Sequence, residues 1–426
     1  MNKLKFQKTI LPNGLRIITV PMKNTNTITS IVLVKTGSRY EKKEENGISH
    51  VLEHLFFSGT KKRPTKSGIS RELDRVGALS NAATSNERTM YYVKAEAKHL
   101  DLSLDILSDM YLNATFSPSA IESERRVIVE EMNMIKDDPP RQMWFDFEAL
   151  LFQGNSLGWP VIGTEEKVLS FTRAQFLNYV KNHYQAKNTV IVIAGNINSK
   201  KTVSKVKKFF KGVNTGPAPQ YIRFQDIQKN SQVHISHKNI DQAHLALGVK
   251  TIPENDPRKY AFEVLGTILG GSMSSRLFDR IRTELGLAYY VGATNSLSED
   301  TGFFAAYAGI NLKKVDLGIN EILKEFSKLK KNKVTSQELR DAKTHIEGSF
   351  MMGLESSNRV AQALGDSELM QNSIETPEEY IKNIKKVAAE DIQSLAKEFF
   401  KTERLNLALI GPFKDKAKFA KLLRLA

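Results

Sequence analysis

Apolar residues near the start of the chain fall in short runs bounded by turn signals, which is the spacing of strands. The stretch up to Val20 predicts a strand, a Pro-Asn-Gly turn at Pro12–Gly14 and a second strand. Ile28–Thr36 (ITSIVLVKT) is dense in β-branched residues and predicts a buried strand. Gly37–Glu45 is polar and reads as a turn. The apolar positions of the next stretch, Gly47–Thr60 (GISHVLEHLFFSGT), predict a helix over about Asn46–Phe57, ended by Gly59 and Lys61–Pro64. A helix at about Ser67–Val76 follows, then strands at Ala78–Thr84 and Thr89–Ala95. Leu100, Leu102, Leu104, Ile106, Leu107 and Met110 recur at helical spacing within His99–Asn113. Ser117-Pro118 opens a further helix that runs to about Lys136, where Pro139-Pro140 stops it. Helical spacing returns at Thr172–Tyr184, before the strand Thr189–Ala194 and a basic helix at Lys200–Lys211.

Gly212–Pro219 (GVNTGPAP) is the clearest linker, and beyond it the pattern starts again. Ser70–Val76 (SRELDRV) matches Ser275–Ile281 (SRLFDRI), an offset of 205, that is 275 minus 70. The helix-then-strand unit ending at Gly195 matches the one ending at Gly411, an offset of 216, that is 411 minus 195. Two anchors in the same order imply a duplicated unit. The chain therefore reads as α+β, with homologous domains at residues 1–211 and 220–426. Each is expected to be an antiparallel-rich sheet flanked by helices.

At 426 residues the chain is too long for one compact core. No apolar run approaches the ~20 residues that span a bilayer, so no membrane partner is expected. The N-terminus lacks a signal-peptide core and reads directly into a strand, which points to the cytoplasm. There is no Cys, which excludes thiol nucleophiles and thiolate metal sites and leaves His and carboxylates as ligands. The net charge of +15 invites a nucleic-acid partner. The lysines, however, are spread over many amphipathic segments without aromatic platforms between them, so solvated helix faces are expected instead.

The candidate chemistry lies in His50-Val51-Leu52-Glu53-His54. On a helix, positions four apart share a face, so His50 and His54 can present two imidazoles to one metal ion. Glu53 falls in the same turn, beside whatever the metal holds. This H-x-x-E-H order is the inverted zinc-peptidase motif, with the Glu as base. The second repeat has YAFEVLGTILGG at the equivalent place, Tyr260–Gly271, so one metal site per chain is expected. Gly270-Gly271-Ser272 lacks the Lys-Ser/Thr ending of a phosphate loop and reads as a mobile turn.

Over both repeats the chain resembles the pitrilysin family of zinc metallopeptidases, which includes insulin-degrading enzyme and the mitochondrial processing peptidases. The resemblance is carried by NGLRIITV, GISHVLEHLFFSGT, ERRVIVEEM at Glu124–Met132 and GGSMSSRLFDRIRTELGLAYYV at Gly270–Val291. It implies Glu131 as third zinc ligand. Glu130 adjoins it, but Glu124 and Glu131, seven residues apart, share a helix face from which Glu130 is rotated away. It also implies a supporting or catalytic role for Glu124 and substrate contacts near the scissile bond for Arg282 and Tyr289. Ser80–Thr84, with Asn81 and Ala82, matches the family's edge strand, to which substrate pairs as an added strand.

The expected activity is zinc-dependent endopeptidase action on peptides or unfolded segments, with one Zn2+ per chain. Specific removal of leader or presequence segments is the alternative, and a non-catalytic assembly subunit a more distant one. Larger relatives carry four such repeats that close as two bowls around a chamber. A two-repeat chain is then half of the clamshell, which implies a homodimer, or a heterodimer with a non-catalytic paralogue.

Overall fold

A computed structural model describes residues 4–425; the outermost residues of the two expected domains, 1–3 and 426, lie outside it. The chain opens with β1 (Gln7–Ile10), β2 (Arg16–Pro21), β3 (Thr27–Val34), α1 (Ile48–Phe56), α2 (Lys66–Asp74), β4 (Leu79–Thr84) and β5 (Thr89–Glu96). Then come α3 (Leu100–Asn113), α4 (Pro118–Asp137), α5 (Pro139–Leu151), α6 (Glu165–Ser170), α7 (Arg173–His183), β6 (Thr189–Gly195) and α8 (Ser199–Phe209). The second half runs β7 (Gln232–His237), β8 (Gln242–Thr251), α9 (Lys259–Gly270), β9 (Ala288–Leu297), β10 (Gly302–Asn311) and α10 (Val315–Lys331). It ends with α11 (Ser336–Gly353), α12 (Ser357–Gln371), α13 (Pro377–Lys386), α14 (Ala389–Phe399), β11 (Asn406–Gly411) and α15 (Lys416–Leu422). Among the described residues no helix is long and apolar enough to cross a membrane.

Two compact units result. One gathers the residues up to Met132, Trp159–Ile222 and Phe350–Glu378. Its sheet has the order β1-β2-β6-β3-β5-β4, with β2 and β6 parallel and the other neighbours antiparallel. On one face α3 packs on β3 and β5, and α8 on β2. The other face meets α12, where Val360, Ala361 and Leu364 cover Ile31, Leu33, Val190 and Val192. Each buried Val, Ile or Leu side chain contributes roughly 1.5–3 kcal/mol by leaving water. Gly365 lets α12 approach closely, since a Cβ there would lie 2.2 Å from Leu33 Cδ1.

The other unit gathers Asn133–Gly158, Arg223–Ser349 and the chain from Glu379 onward. Its sheet, β7-β11-β8-β10-β9, repeats the first one's plan, with β7 and β11 parallel and then three antiparallel pairs. One face carries the large core shared with α9, α10 and α14. The opposite face is covered by α5, through Met143, Phe147 and Leu151 against Ala246, Phe303, Ala305, Ala408 and Ile410.

The fold is thus α+β with two sheets flanked by helices. The units differ from the sequential domains 1–211 and 220–426 by an exchange of helices. Here α5 of the first half covers the second sheet, and α12 of the second half covers the first. Each sheet has two apolar faces, and the second face of each is covered by a helix from the other half of the chain. The helix α5 itself is unexpected. Pro139-Pro140 does end α4, but the same prolines occupy the first turn of the next helix, where a missing N–H costs nothing, and Asp138 caps it through Arg141 N. The division also falls at Ile222 rather than within Gly212–Pro219. Just before it, the ring of Tyr221 lies 3.9 Å from the Arg39 guanidinium.

Candidate metal centre

The helix α1 carries His50, Glu53 and His54, and its orientation is fixed by packing, because Val51, Leu52, Leu55 and Phe56 are all buried. Its first turn is held by polar groups. Gly47, the residue before the helix, has φ +101°, and a Cβ there would lie 2.8 Å from the Cα of Gly163. Glycine is therefore required by both conformation and space, and no side-chain cap is possible at that position. The cap comes from Glu41. Its Oε2 accepts from Gly47 N at 2.8 Å and Asn46 Nδ2 at 3.1 Å, and its Oε1 from Ser49 N at 2.9 Å. Burial pushes the Glu41 carboxyl up from its ordinary range, and the donors of Ser49, Gly47 and Asn46 oppose that. The first part of the expected polar turn Gly37–Glu45 is thus internal, since Gly37–Glu41 are buried, while Lys42–Glu44 are exposed. Arg39 there is neutralised by a buried ion pair with Glu87.

One turn apart on α1, the imidazoles of His50 and His54 have centroids 4.9 Å from each other. Both Nε2 atoms face one oxygen of Glu131 on α4, Oε2, at 3.6 Å from His50 and 3.7 Å from His54. The three residues offer ligand atoms that all lie within 4.8 Å of one another, and theirs is the one such group found among the described residues. With zinc–ligand bonds of about 2.0–2.1 Å, tetrahedral geometry puts neighbouring ligand atoms about 3.4 Å apart. The two separations to Glu131 Oε2, 3.6 and 3.7 Å, lie near that value. Glu130 is outside the group and exposed, as the seven-residue spacing implied.

Behind His54 stands Glu124, only 2% exposed. Its Oε2 lies 3.2 Å from His54 Nδ1, and its Oε1 accepts from Ser58 Oγ at 2.9 Å and Lys66 Nζ at 2.8 Å. Burial alone would raise its pKa, but His54, Lys66 and Ser58 together bring it down to about 2. An anion on Nδ1 holds the proton on that nitrogen and leaves Nε2 as the free lone pair. This position suits orienting the ring rather than touching a substrate. Glu53 is different. Burial raises its pKa, and Glu131 adds to that, while Thr84 and His54 pull the other way.

Thr84 ends β4, the edge strand of the first sheet, with β5 as its only partner among the described residues. Leu79, Ser80, Asn81 and Ala83 are exposed along it. Asn81 Oδ1 accepts from Ala82 N at 2.9 Å, so the side chain covers a backbone donor that the open edge would otherwise present.

Arg282 and Tyr289 belong to the other unit and meet each other there. Arg282 lies in a π-helical turn, Phe278–Glu284. Its guanidinium is 5.2 Å from the Tyr289 ring centroid and 4.8 Å from that of Phe278. Tyr289 is the extra residue of a β-bulge, because Ala288 pairs with Ile310 and Tyr290 with Gly309. It is 74% exposed. Bulges and π turns both re-aim side chains and concentrate at functional sites. Sequence reasoning missed Glu41, Ser58 and Lys66, and it placed Thr84 only in the edge strand and not beside Glu53. Each acts through a contact that no local spacing announces.

A helix-borne His-His-Glu group with a carboxylate in the same turn defines a metallopeptidase class of the inverted-motif type. The family models agree. Residues 16–165 match Insulinase (Peptidase family M16), and residues 170–346 match the Peptidase M16 inactive domain, the half without the motif. The chain belongs to peptidase family M16. It is 36% identical to the uncharacterized zinc protease YmxG of Bacillus subtilis, over 94% of this chain and 97% of that protein. It is 34% identical to an uncharacterized zinc protease of Rickettsia felis, over 96% and 98%. Among solved structures, a protease from Helicobacter pylori superposes with a TM-score of 0.91 at 27% identity, covering 96% of this chain and all of that one. A peptidase M16 inactive domain from Pseudomonas fluorescens shares the fold, with a TM-score of 0.89 at 17% identity over 97% of this chain and 100% of that one.

Proposed function

We propose that the chain is a zinc endopeptidase acting on peptides and unfolded segments. The observation that carries this reading is the convergence of His50 Nε2, His54 Nε2 and Glu131 Oε2 beside Glu53. Those three residues would hold one zinc ion, which supplies Lewis acidity and makes water nucleophilic near neutral pH. Glu53 accepts the proton of the attacking water and passes it to the leaving amine. Glu124 keeps His54 in the tautomer that offers Nε2. Arg282 and Tyr289 supply a cation and a hydroxyl donor for the charge that develops on the carbonyl oxygen.

The substrate adds to the open edge of β4 as an extra strand, displacing the Asn81 side chain from Ala82 N. Main-chain pairing reads little sequence, so selectivity is loose. Two chains form a homodimer, since each contributes both the metal group and the Arg282/Tyr289 pair. The "inactive" description of residues 170–346 does not argue against catalysis, because the motif lies in the other matched segment.

The test is incubation of the purified chain with a mixed peptide library, read by mass spectrometry with and without a zinc chelator. Many cuts over short peptides, lost on chelation, are expected. One dominant sequence context would favour leader processing instead, and chelator-insensitive or absent cleavage would contradict the proposal.

A further inference from the structure

We infer that Glu41 is a positioning residue for the reaction: it holds the first turn of α1, and through it His50, Glu53 and His54, in working register. The inference rests on the zinc-peptidase reading and extends it to a residue outside the H-x-x-E-H segment.

The first N–H groups of any helix have no partner within it. Ordinarily a Ser, Thr, Asp or Asn just before the helix would supply one. Here that position is closed to every side chain, because Gly47 abuts Gly163 with φ +101°. Glu41 reaches in from six residues earlier and takes the N–H groups of Gly47 and Ser49 with separate oxygens. A two-point hold fixes rotation as well as position. Ser49 directly precedes His50, and Glu53 lies one turn further on.

Further contacts of this carboxylate and this turn add to the hold. Asn46 Nδ2 bonds both Glu41 Oε2 and Pro160 O, at 3.1 Å each. Ser49 Oγ is 2.9 Å from Tyr179 Oη, which is 3.1 Å from Thr36 Oγ1. Glu41 itself is 6% exposed. A buried carboxylate is costly unless fully bonded, so its presence here needs a reason. Helix packing alone would permit small rolls of α1 about its apolar face. Catalytic groups tolerate only about 0.5 Å of misplacement before rate is lost.

The test compares wild type with Glu41→Gln, which keeps the shape but replaces one acceptor oxygen with a donor facing an N–H. Assays are run where both are fully folded by circular dichroism, on zinc-loaded and cobalt-substituted protein. The expected result is a kcat lowered about 10- to 100-fold with KM within about twofold. One metal ion per chain is retained, the cobalt absorption band is altered, and Glu41→Asp recovers part of the loss. Wild-type kcat and an unchanged cobalt band in Glu41→Gln would overturn the inference, even if thermal stability fell. Should Glu41→Gln not fold, Asn46→Ala removes one donor from the same carboxylate. It is expected to lower kcat severalfold with a smaller change in the band, and no change in either would overturn the inference equally. A wild-type chain with no cobalt band and no hydrolysis would instead sink the zinc-peptidase reading itself.

Discussion

At the scale of single residues, the site depends on groups one bond behind the candidate ligands. Glu124 is held as an anion, at about pKa 2, by His54, Lys66 and Ser58 against the cost of its burial. Glu124→Gln keeps the shape and removes the charge, so zinc affinity is expected to fall about 10- to 100-fold in a chelator competition. An unchanged affinity would show that His54 needs no anion behind it. Arg282→Ala and Tyr289→Phe are expected to lower turnover about 10- to 100-fold while zinc content stays at that of wild type. Unchanged kinetics in both would remove these residues from the active-site account. The sequence disclosed His50, Glu53 and His54 because a helix turns their spacing into proximity. Glu131 came from the family resemblance, and its seven-residue step from Glu124 helped to separate it from Glu130. Glu41 and Lys66 were silent, because a carboxylate seven residues before a helix, or a lysine on the next helix, follows no period.

Among the elements, the exchange of α5 and α12 is what spacing along the chain could not reveal. The strands, the duplicated plan and the metal helix follow local periodicity, and all were legible. Which sheet a helix covers depends on long-range packing, and Pro139-Pro140 disguised the start of α5 as an ending. The placement of α12 can be checked directly. Gly365→Ala would bring a Cβ to 2.2 Å from Leu33 Cδ1 and 2.9 Å from Val192 Cγ2. It should destabilise the first unit by about 1–3 kcal/mol in urea unfolding, and wild-type stability would contradict the packing described. At the start of α11, Glu338 and Thr335 form a reciprocal cap, with Thr335 N donating to Glu338 Oε2 at 2.8 Å and Glu338 N to Thr335 Oγ1 at 3.1 Å. Arg276 adds two bonds to the same carboxylate, at 2.6 and 3.1 Å. Despite some burial, these donors hold Glu338 at about pKa 2, below its usual 4.5. A depressed folded pKa means the stabilisation is complete above about pH 4.5 and is lost as pH falls toward 2. Glu338→Gln should therefore melt below wild type at pH 6, by on the order of 1 kcal/mol after solvent screening, with the gap closing by about pH 2. A gap that stays constant with pH would rule out this charge as its source.

For the whole molecule, many of the 62 basic side chains pair with carboxylates of the same chain, leaving the net charge of +15. Lys324 pairs with Glu321, Lys328 with Glu325 and Lys205 with Asp101. The lysines of these pairs are exposed to solvent, although Glu321 and Glu325 are buried, so the cations lie on solvated helix faces. Homodimerisation makes a separate prediction. Light scattering on the purified chain should report about twice its 48.0 kDa. A monomer fully active at low concentration would rule out an obligate dimer while leaving the metal chemistry intact. That chemistry is the central claim, and Glu53→Gln tests it most directly, because this substitution spares all three candidate ligands and removes only the proton acceptor. Zinc content and peptide hydrolysis are measured on the same preparation. One zinc per chain with turnover lowered at least about a thousandfold is the expected result. Substantial turnover in Glu53→Gln, with or without zinc, would contradict the assignment of Glu53 as the base.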